Sequence, residues 1–140
     1  MIRKIKSKDR LNFIDFCIYN QLYFDYKKVI FLFRDILRSK YICYVFEEND
    51  EIKGFILIEN FKEPIVRIYV SSEKVVHGLL KYLLWHHRLD LTLKLNQHSI
   101  VKYICKRYKF FPVDETNTEI TFFRKNYEKV TTQNGKRNYR

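Results

Sequence analysis

Residues 64–84 read PIVRIYVSSEKVVHGLLKYLL, and three kinds of segment follow one another there. Ile65-Val66-Arg67-Ile68-Tyr69-Val70 is β-branched and aromatic with a proline at its head, which is the composition of a buried strand. Ser71-Ser72-Glu73 interrupts the apolar run, and a serine oxygen at that place can accept from a free amide of a first helical turn. Leu79, Leu80, Leu83 and Leu84 then fall on one helical face. A strand that feeds a helix through a short turn presents backbone N–H groups and the positive end of a helix dipole, where phosphate can bind.

Working outward, the stretch is flanked by elements of both periods. Upstream, residues 3–6 fit a short strand, with Ile2 and Ile5 as its apolar residues. Ser7 or Asp9 then caps a helix with the stripe Leu11, Ile14, Ile18 and Leu22. Tyr23 to Tyr26 reads as a break, and a second helix follows with Val29, Ile30, Phe33, Ile36 and Leu37 facing inward. Residues 41–47 and 52–60 form an expected antiparallel hairpin across Glu48-Asn49-Asp50-Glu51, with Gly54 marking a bulge or a close approach. Downstream, Leu89, Leu91, Leu93 and Leu95 alternate as a strand. Residues 99–108 suit a helix with Ile100, Ile104 and Tyr108 aligned, and residues 110–113 and 119–125 suit two final strands. The order β-αα-β-β-β-α-β-α-β-β predicts an α/β (α+β) domain. Its central sheet is mixed and mostly antiparallel, with helices on both faces and parallel pairing where a helix joins two strands. This domain is expected over 1–126, with 127–140 as a flexible basic tail.

The 140 residues suit one core, and 46% hydrophobic with 31% charged residues excludes a disordered chain. No apolar run reaches membrane-spanning length, and MIRKIKSKDR lacks the apolar core of a signal peptide, so a cytoplasmic protein with no membrane partner is expected. Cys17, Cys43 and Cys105 form no CxxC pair and read as buried reduced thiols. The net charge of +11 has two readings. One is an acidic partner, either a protein surface or nucleic acid. The other is codon bias: no alanine, 12 Phe, 11 Tyr and abundant Lys, Ile and Asn fit an A/T-rich genome such as that of many phages.

The element order and two segments resemble the GNAT family, the Gcn5-related N-acetyltransferases, over roughly residues 1–126. The family carries a turn of the form Q/R-x-x-G-x-G/A after a strand ending in valine. Set from Val70, this falls on Val75-Val76-His77-Gly78-Leu79-Leu80, with the family's leucine pair at Leu83-Leu84. Gly78 matches, whereas Val75 and Leu80 replace the polar and small residues. The second segment, LTLKLNQHSIVKYICKRYKFF at 91–111, matches the family's Asn, small residue and Tyr with Asn96, Ser99 and Tyr103, and departs at Arg107-Tyr108, where Gly-Phe is usual. The resemblance implies acetyl-CoA as cofactor and an amine as acceptor. The thioester would lie near Tyr69 and Val70, the pyrophosphate over the amides of 75–80, and Tyr103 would protonate the leaving thiolate. Asn96 either touches the cofactor or caps the next helix. Glu59 and Glu63 are the nearest candidates for a base or are simply strand-end charges. The alternative the resemblance allows is a non-catalytic GNAT-fold protein, phage-encoded and part of a virion assembly, or a homo-oligomer.

Other groupings point elsewhere less strongly. His86 and His87 are about 100° apart on a helix, so they suit its negative end better than a shared metal. His77 lies near the expected phosphate turn and can donate to an anion. His98 with Asn96 and Ser99 lacks the G-x-S-x-G elbow of a hydrolase, and no P-loop or dinucleotide fingerprint occurs.

Overall fold

The computed structural model describes residues 1–20, 22, 25–59 and 61–126. The expected tail at 127–140 and part of the expected break at 23–26 lie outside the described residues. The elements run β1 (Ile2–Lys4), α1 (Arg10–Tyr19), α2 (Tyr26–Leu37), β2 (Ile42–Glu48), β3 (Glu51–Glu59), β4 (Ile65–Val70), α3 (Glu73–His86), β5 (Leu91–Asn96), α4 (Val101–Ile104), β6 (Phe111–Glu115) and β7 (Glu119–Arg124). This is the order predicted from the sequence.

The strands form one sheet in the order β1-β2-β3-β4-β5-β7-β6. Every neighbouring pair is antiparallel except β4 with β5. Here the expectation of parallel pairing needs one correction. The crossover from β5 through α4 does not pair β5 with β6, because the hairpin strand β7 lies between them and runs antiparallel to β5. The β2–β3 turn carries Asn49 and Asp50 at φ 55° and 61°, which short polar side chains tolerate and a tight hairpin demands.

Both faces of the sheet are covered over β2, β3 and β4, and side-chain alternation sorts their residues between two cores. Val66 and Ile68 join the cluster under α3 and α4, with Leu79, Leu80 and Leu83 of α3 fully buried there. Cys43, Val45, Phe55 and Leu57 join the cluster under α1 and α2. The aromatic rings of Phe13, Phe33 and Phe55 meet in that second core at centroid separations of 4.9–5.5 Å. All three cysteines are buried and unpaired.

Three helical stripes differ from expectation, and in α2 it is Leu37 that is exposed while Val29, Phe33 and Ile36 are buried. In α1, Leu11 and Ile18 are exposed and the sheet receives Phe13, Ile14, Phe16 and Cys17. The helix is apolar nearly all round, so the fit of the Phe rings against Phe55 decides its rotation. In the segment 99–108, the α-helix lasts only four residues before a 3₁₀ turn at Cys105–Tyr108. It buries Val101, Ile104 and Cys105 and leaves Ile100 exposed.

Asp9 is 3% exposed and caps nothing as a helix N-cap should. Its carboxylate takes a bidentate pair from Arg3, both contacts at 2.8 Å, and the Lys6 N–H at 2.7 Å. At the other end, the Asn126 N–H donates to Asp90 at 2.7 Å and the Asn126 amide to the Arg88 carbonyl.

Candidate functional site

β4 and β5 are each six residues long, yet they pair only at Ile65↔Thr92 and Val66↔Leu93. Beyond Val66 the strands separate, and a cavity of about 640 Å³ opens between their C-terminal ends. Arg67 to Ser71 line one wall, Lys94 to Asn96 the other, and Ser99, Ile100, Thr118 and Glu119 the rim.

The phase of the β3–β4 ladder decides which backbone groups face this wedge. The Ser71 N–H donates to the Lys53 carbonyl at 3.0 Å, directly across from it. In an antiparallel pair such residues alternate with ones whose polar groups point away. Arg67 and Tyr69 therefore turn their N–H groups to β3, whereas Ile68 and Val70 turn theirs towards β5, past its last pairing. Val70 stands where the sequence put it. Tyr69 lines the wedge, but its ring packs on Phe55 at 4.9 Å and its amide faces β3. Ile68 is the amide that sequence reading missed, and only the pairing phase reveals it.

The expected pyrophosphate turn is not a turn. α3 starts at Glu73, with Ser72 as its N-cap, so Val75 to Leu80 lie within the helix. The Val76 N–H already donates to the Ser72 carbonyl at 3.4 Å, and the amides after it are committed to the helical ladder. The side chains explain why. Val75, Val76, Leu79 and Leu80 are all buried in the core, each worth about 1.5–3 kcal/mol. Ser72 makes no side-chain cap bond, which forgoes only about 1 kcal/mol, so packing outweighs capping in setting the helix start. Gly78 serves packing as well: a Cβ there would lie 2.9 Å from the Phe46 ring. His77 points to neighbours within the fold. Its Nδ1 meets the Tyr108 hydroxyl at 2.6 Å, and its Nε2 lies 3.7 Å from Glu73. Glu73 also places a carboxylate in the first turn, where a phosphate would otherwise benefit from the dipole. The wedge is thus open between the two strands, whereas the amides from Val76 to Leu80 are closed into the helix and do not form a cradle for a pyrophosphate.

Asn96 lines the wedge and accepts the His98 N–H at 2.8 Å, and Ser99 accepts the Val101 N–H at 3.2 Å. These bonds turn the chain from β5 into α4. Tyr103 does not line the wedge. It lies one turn beyond Ile100, which does, and its ring is 75% exposed.

On the opposite side of the sheet from α3, Arg67 links two carboxylates, with Glu119 at 2.9 Å and Glu59 at 3.8 Å. Burial, the largest single influence, disfavours its charge, but the hydrogen bond it donates to Glu119 and the nearby Tyr69, Glu119 and Glu59 together hold its pKa above the ordinary value. Glu119 is the one carboxylate lining the wedge among the described residues. The sequence offers Glu59 and Glu63 as nearest candidates for a base or as strand-end charges, and does not single out Glu119, which lies 52 residues from Arg67. A second cavity, of about 520 Å³, lies between α1 and the start of β3. It shares Asn20 and Ser71 with the wedge and carries Asp15 and Glu51. No cluster of metal ligands occurs among the described residues.

This sheet order, with one splayed parallel pair at its centre, is the GNAT fold. The chain superposes on a GNAT-family acetyltransferase from Bacillus cereus with a TM-score of 0.70 at 18% identity, covering 90% of this chain and 96% of that one. It is also similar to the N-acetyltransferase PseH from Campylobacter jejuni, solved in complex with acetyl coenzyme A. That match has a TM-score of 0.66 at 11% identity and covers 89% and 99% of the two chains. A PaiA N-acetyltransferase from Thermoplasma acidophilum, solved with coenzyme A, matches at 0.63 and 15% identity over 89% and 98%. At these identities the likeness establishes the fold. No protein-family model matches the chain, and no curated protein matches it in sequence.

Proposed function

We propose that the protein is an N-acyltransferase that takes an acetyl group from a pantetheine thioester of the acetyl-CoA type and passes it to an amine. The observation that carries this reading is the early separation of β4 and β5, which leaves the Ile68 and Val70 backbone groups facing a cavity of about 640 Å³. When bound, the thioester supplies an acyl carbonyl whose C–S bond is exchanged for a C–N bond. The chain's part is orientation and proton handling. A backbone N–H of Ile68 or Val70 aimed at the carbonyl oxygen stabilises the charge that develops on it. Tyr103, outside the wedge lining and one turn beyond Ile100 of its rim, turns inward to supply the proton that the leaving sulfur takes up. The amine reaches the carbonyl through the neighbouring cavity, where Asp15 attracts its ammonium form while Glu51 is paired with Lys53 at 2.9 Å. Glu119 receives the proton it sheds, directly or through water.

One observation favours a second reading, a non-catalytic GNAT-fold protein such as a phage virion-associated component. It is the start of α3 at Glu73, which takes the amides from Val76 to Leu80, expected over the pyrophosphate, into the helical ladder. Thermal shift with acetyl-pantetheine and acetyl-CoA separates the two. A ligand at ten times its Kd stabilises the fold by about 1.4 kcal/mol, a rise of several degrees for a domain of this size. Absence of any shift at millimolar concentrations of either thioester eliminates the acyltransferase reading and leaves the non-catalytic one.

A further inference from the structure

Three features meet at the mouth of the wedge. The wedge admits a pantetheine arm between Val70 and Asn96. The helix start at Glu73 closes the amides from Val76 onward into the helical ladder and sets a carboxylate beside the first-turn amides. Between Asn96 and Asp114 the chain carries Lys102, Lys106, Arg107 and Lys109 and no carboxylate. This basic segment is α4 and the turn after it, which begin at the rim of the wedge with Ser99 and Ile100. Lys106 and Arg107 are exposed, and beside them Ile100 and Tyr103 expose 42% and 75% of their surface.

From this disagreement between arm and cradle we infer that the acyl donor is presented on an acidic carrier protein bearing a phosphopantetheine thioester, rather than as free coenzyme A. This rests on the acyltransferase reading above. Such a donor needs the wedge but not the cradle, because its single phosphate is esterified to the carrier and its affinity comes from the protein surface. A cationic patch opposite an acidic helix speeds encounter and fixes orientation. Exposed Ile100 and Tyr103 give the patch the apolar centre that a specific protein contact uses and that a purely electrostatic nucleic-acid surface does not require. The patch lies on the chain segment that leads directly from the wedge, so a carrier docked there can thread its arm between β4 and β5.

The test is a binding comparison with the full chain and three probes of one acyl group: acetyl-pantetheine, acetyl-CoA and an acidic acyl carrier protein charged with acetyl. The carrier is expected to bind at least about tenfold more tightly than acetyl-CoA, with an advantage that shrinks as salt screens the patch. The double substitution K106E/R107E, at exposed positions, should weaken carrier binding by about tenfold or more and leave acetyl-pantetheine binding unchanged. The donor inference is overturned if acetyl-CoA binds as tightly as the carrier, or if the charge reversal has no effect. It is also overturned if the carrier without its arm binds as well as the acetylated one, or if an RNA oligonucleotide outcompetes the carrier for the patch. Those outcomes leave the acyltransferase reading standing. Failure of acetyl-pantetheine and acetyl-CoA to bind at millimolar concentrations overturns both.

Discussion

Replacing Gly54 by alanine tests the contact that joins β3, β4 and α3 at the base of the wedge. A methyl group at this position would sit 2.7 Å from Cγ1 of Val75, 2.9 Å from the Tyr69 carbonyl oxygen and 3.3 Å from the Val70 Cα. Favourable contact between heavy atoms begins near 3.5 Å, so the helix, the strand or both must move. Overpacking of this kind costs about 1–3 kcal/mol, and the restricted unfolded chain returns about 0.4–1 kcal/mol of it. The net loss of about 1–2 kcal/mol should lower the melting temperature by about 3–8 °C. Thermal or urea unfolding of G54A, V75A and the double variant apportions the clash. Val75→Ala removes the 2.7 Å contact but leaves the backbone oxygen at 2.9 Å. The cost of G54A should therefore shrink in the V75A background without vanishing. Because the strain falls on Tyr69 and Val70, acetyl-pantetheine should also bind G54A more weakly. Wild-type stability of G54A, or an identical cost in both backgrounds, would refute the idea that this glycine is held by close approach.

Three further outcomes follow from named groups. Tyr103→Phe should lower turnover by about tenfold or more while leaving donor affinity nearly unchanged, and an unaltered rate constant would remove Tyr103 as the acid. The Arg3 hydrogen bonds hold the Asp9 carboxyl below its usual pKa despite the opposing effect of burial. Its contribution to stability is thus complete above the unfolded value of about 3.9 and fades as pH falls through the lower folded value. Asp9→Asn should cost about 2–3 kcal/mol near neutral pH, with a difference from wild type that narrows in acid; a constant difference in urea titrations from neutral to strongly acidic pH would contradict this. Burial pushes the Cys17 thiol up to about 12 and Cys105 to about 11, and raises Cys43 as well. All three should resist a thiol reagent at pH ~8 in the native state and react once denatured; rapid labelling of the folded protein would show that one of them is accessible.

The parts of this fold that were legible in the sequence are those fixed by local chemistry. Alternation of Leu91, Leu93 and Leu95 marks β5, and all three are buried, but Leu89, expected on the same face, precedes the strand and is exposed. Gly54 was read as a bulge or a close approach, and it is both. It packs against α3, and the β2–β3 register shifts beside it, where Phe46 opposes Gly54 but Glu47 opposes Ile52. What stayed hidden depends on partners distant in the chain. The face of α1 was ambiguous because two apolar stripes compete, and only the ring of Phe55 chooses between them. The Arg67–Glu119 pair required knowing that β7, not β6, lies beside β5.

The segment after β4 shows two kinds of sequence reading in conflict. Local chemistry places a capped helix start at Ser71-Ser72-Glu73, and Ser72 is the N-cap. Resemblance places a phosphate turn several residues later, at Val75 to Leu80. Both cannot hold, since amides that close a helical ladder are not available to an anion. Val75 and Leu80 decide the outcome: each is an apolar side chain at a position where the family uses a residue that stays out of the core. With both side chains buried, the helix begins at Glu73, and the amides from Val76 to Leu80 close its ladder. The splay of β4 from β5 involves none of these residues and survives. On the acyltransferase proposal, a donor that gains affinity away from its pyrophosphate suits such a chain, and the carboxylate-free segment from Gln97 to Val113 is where we place that affinity.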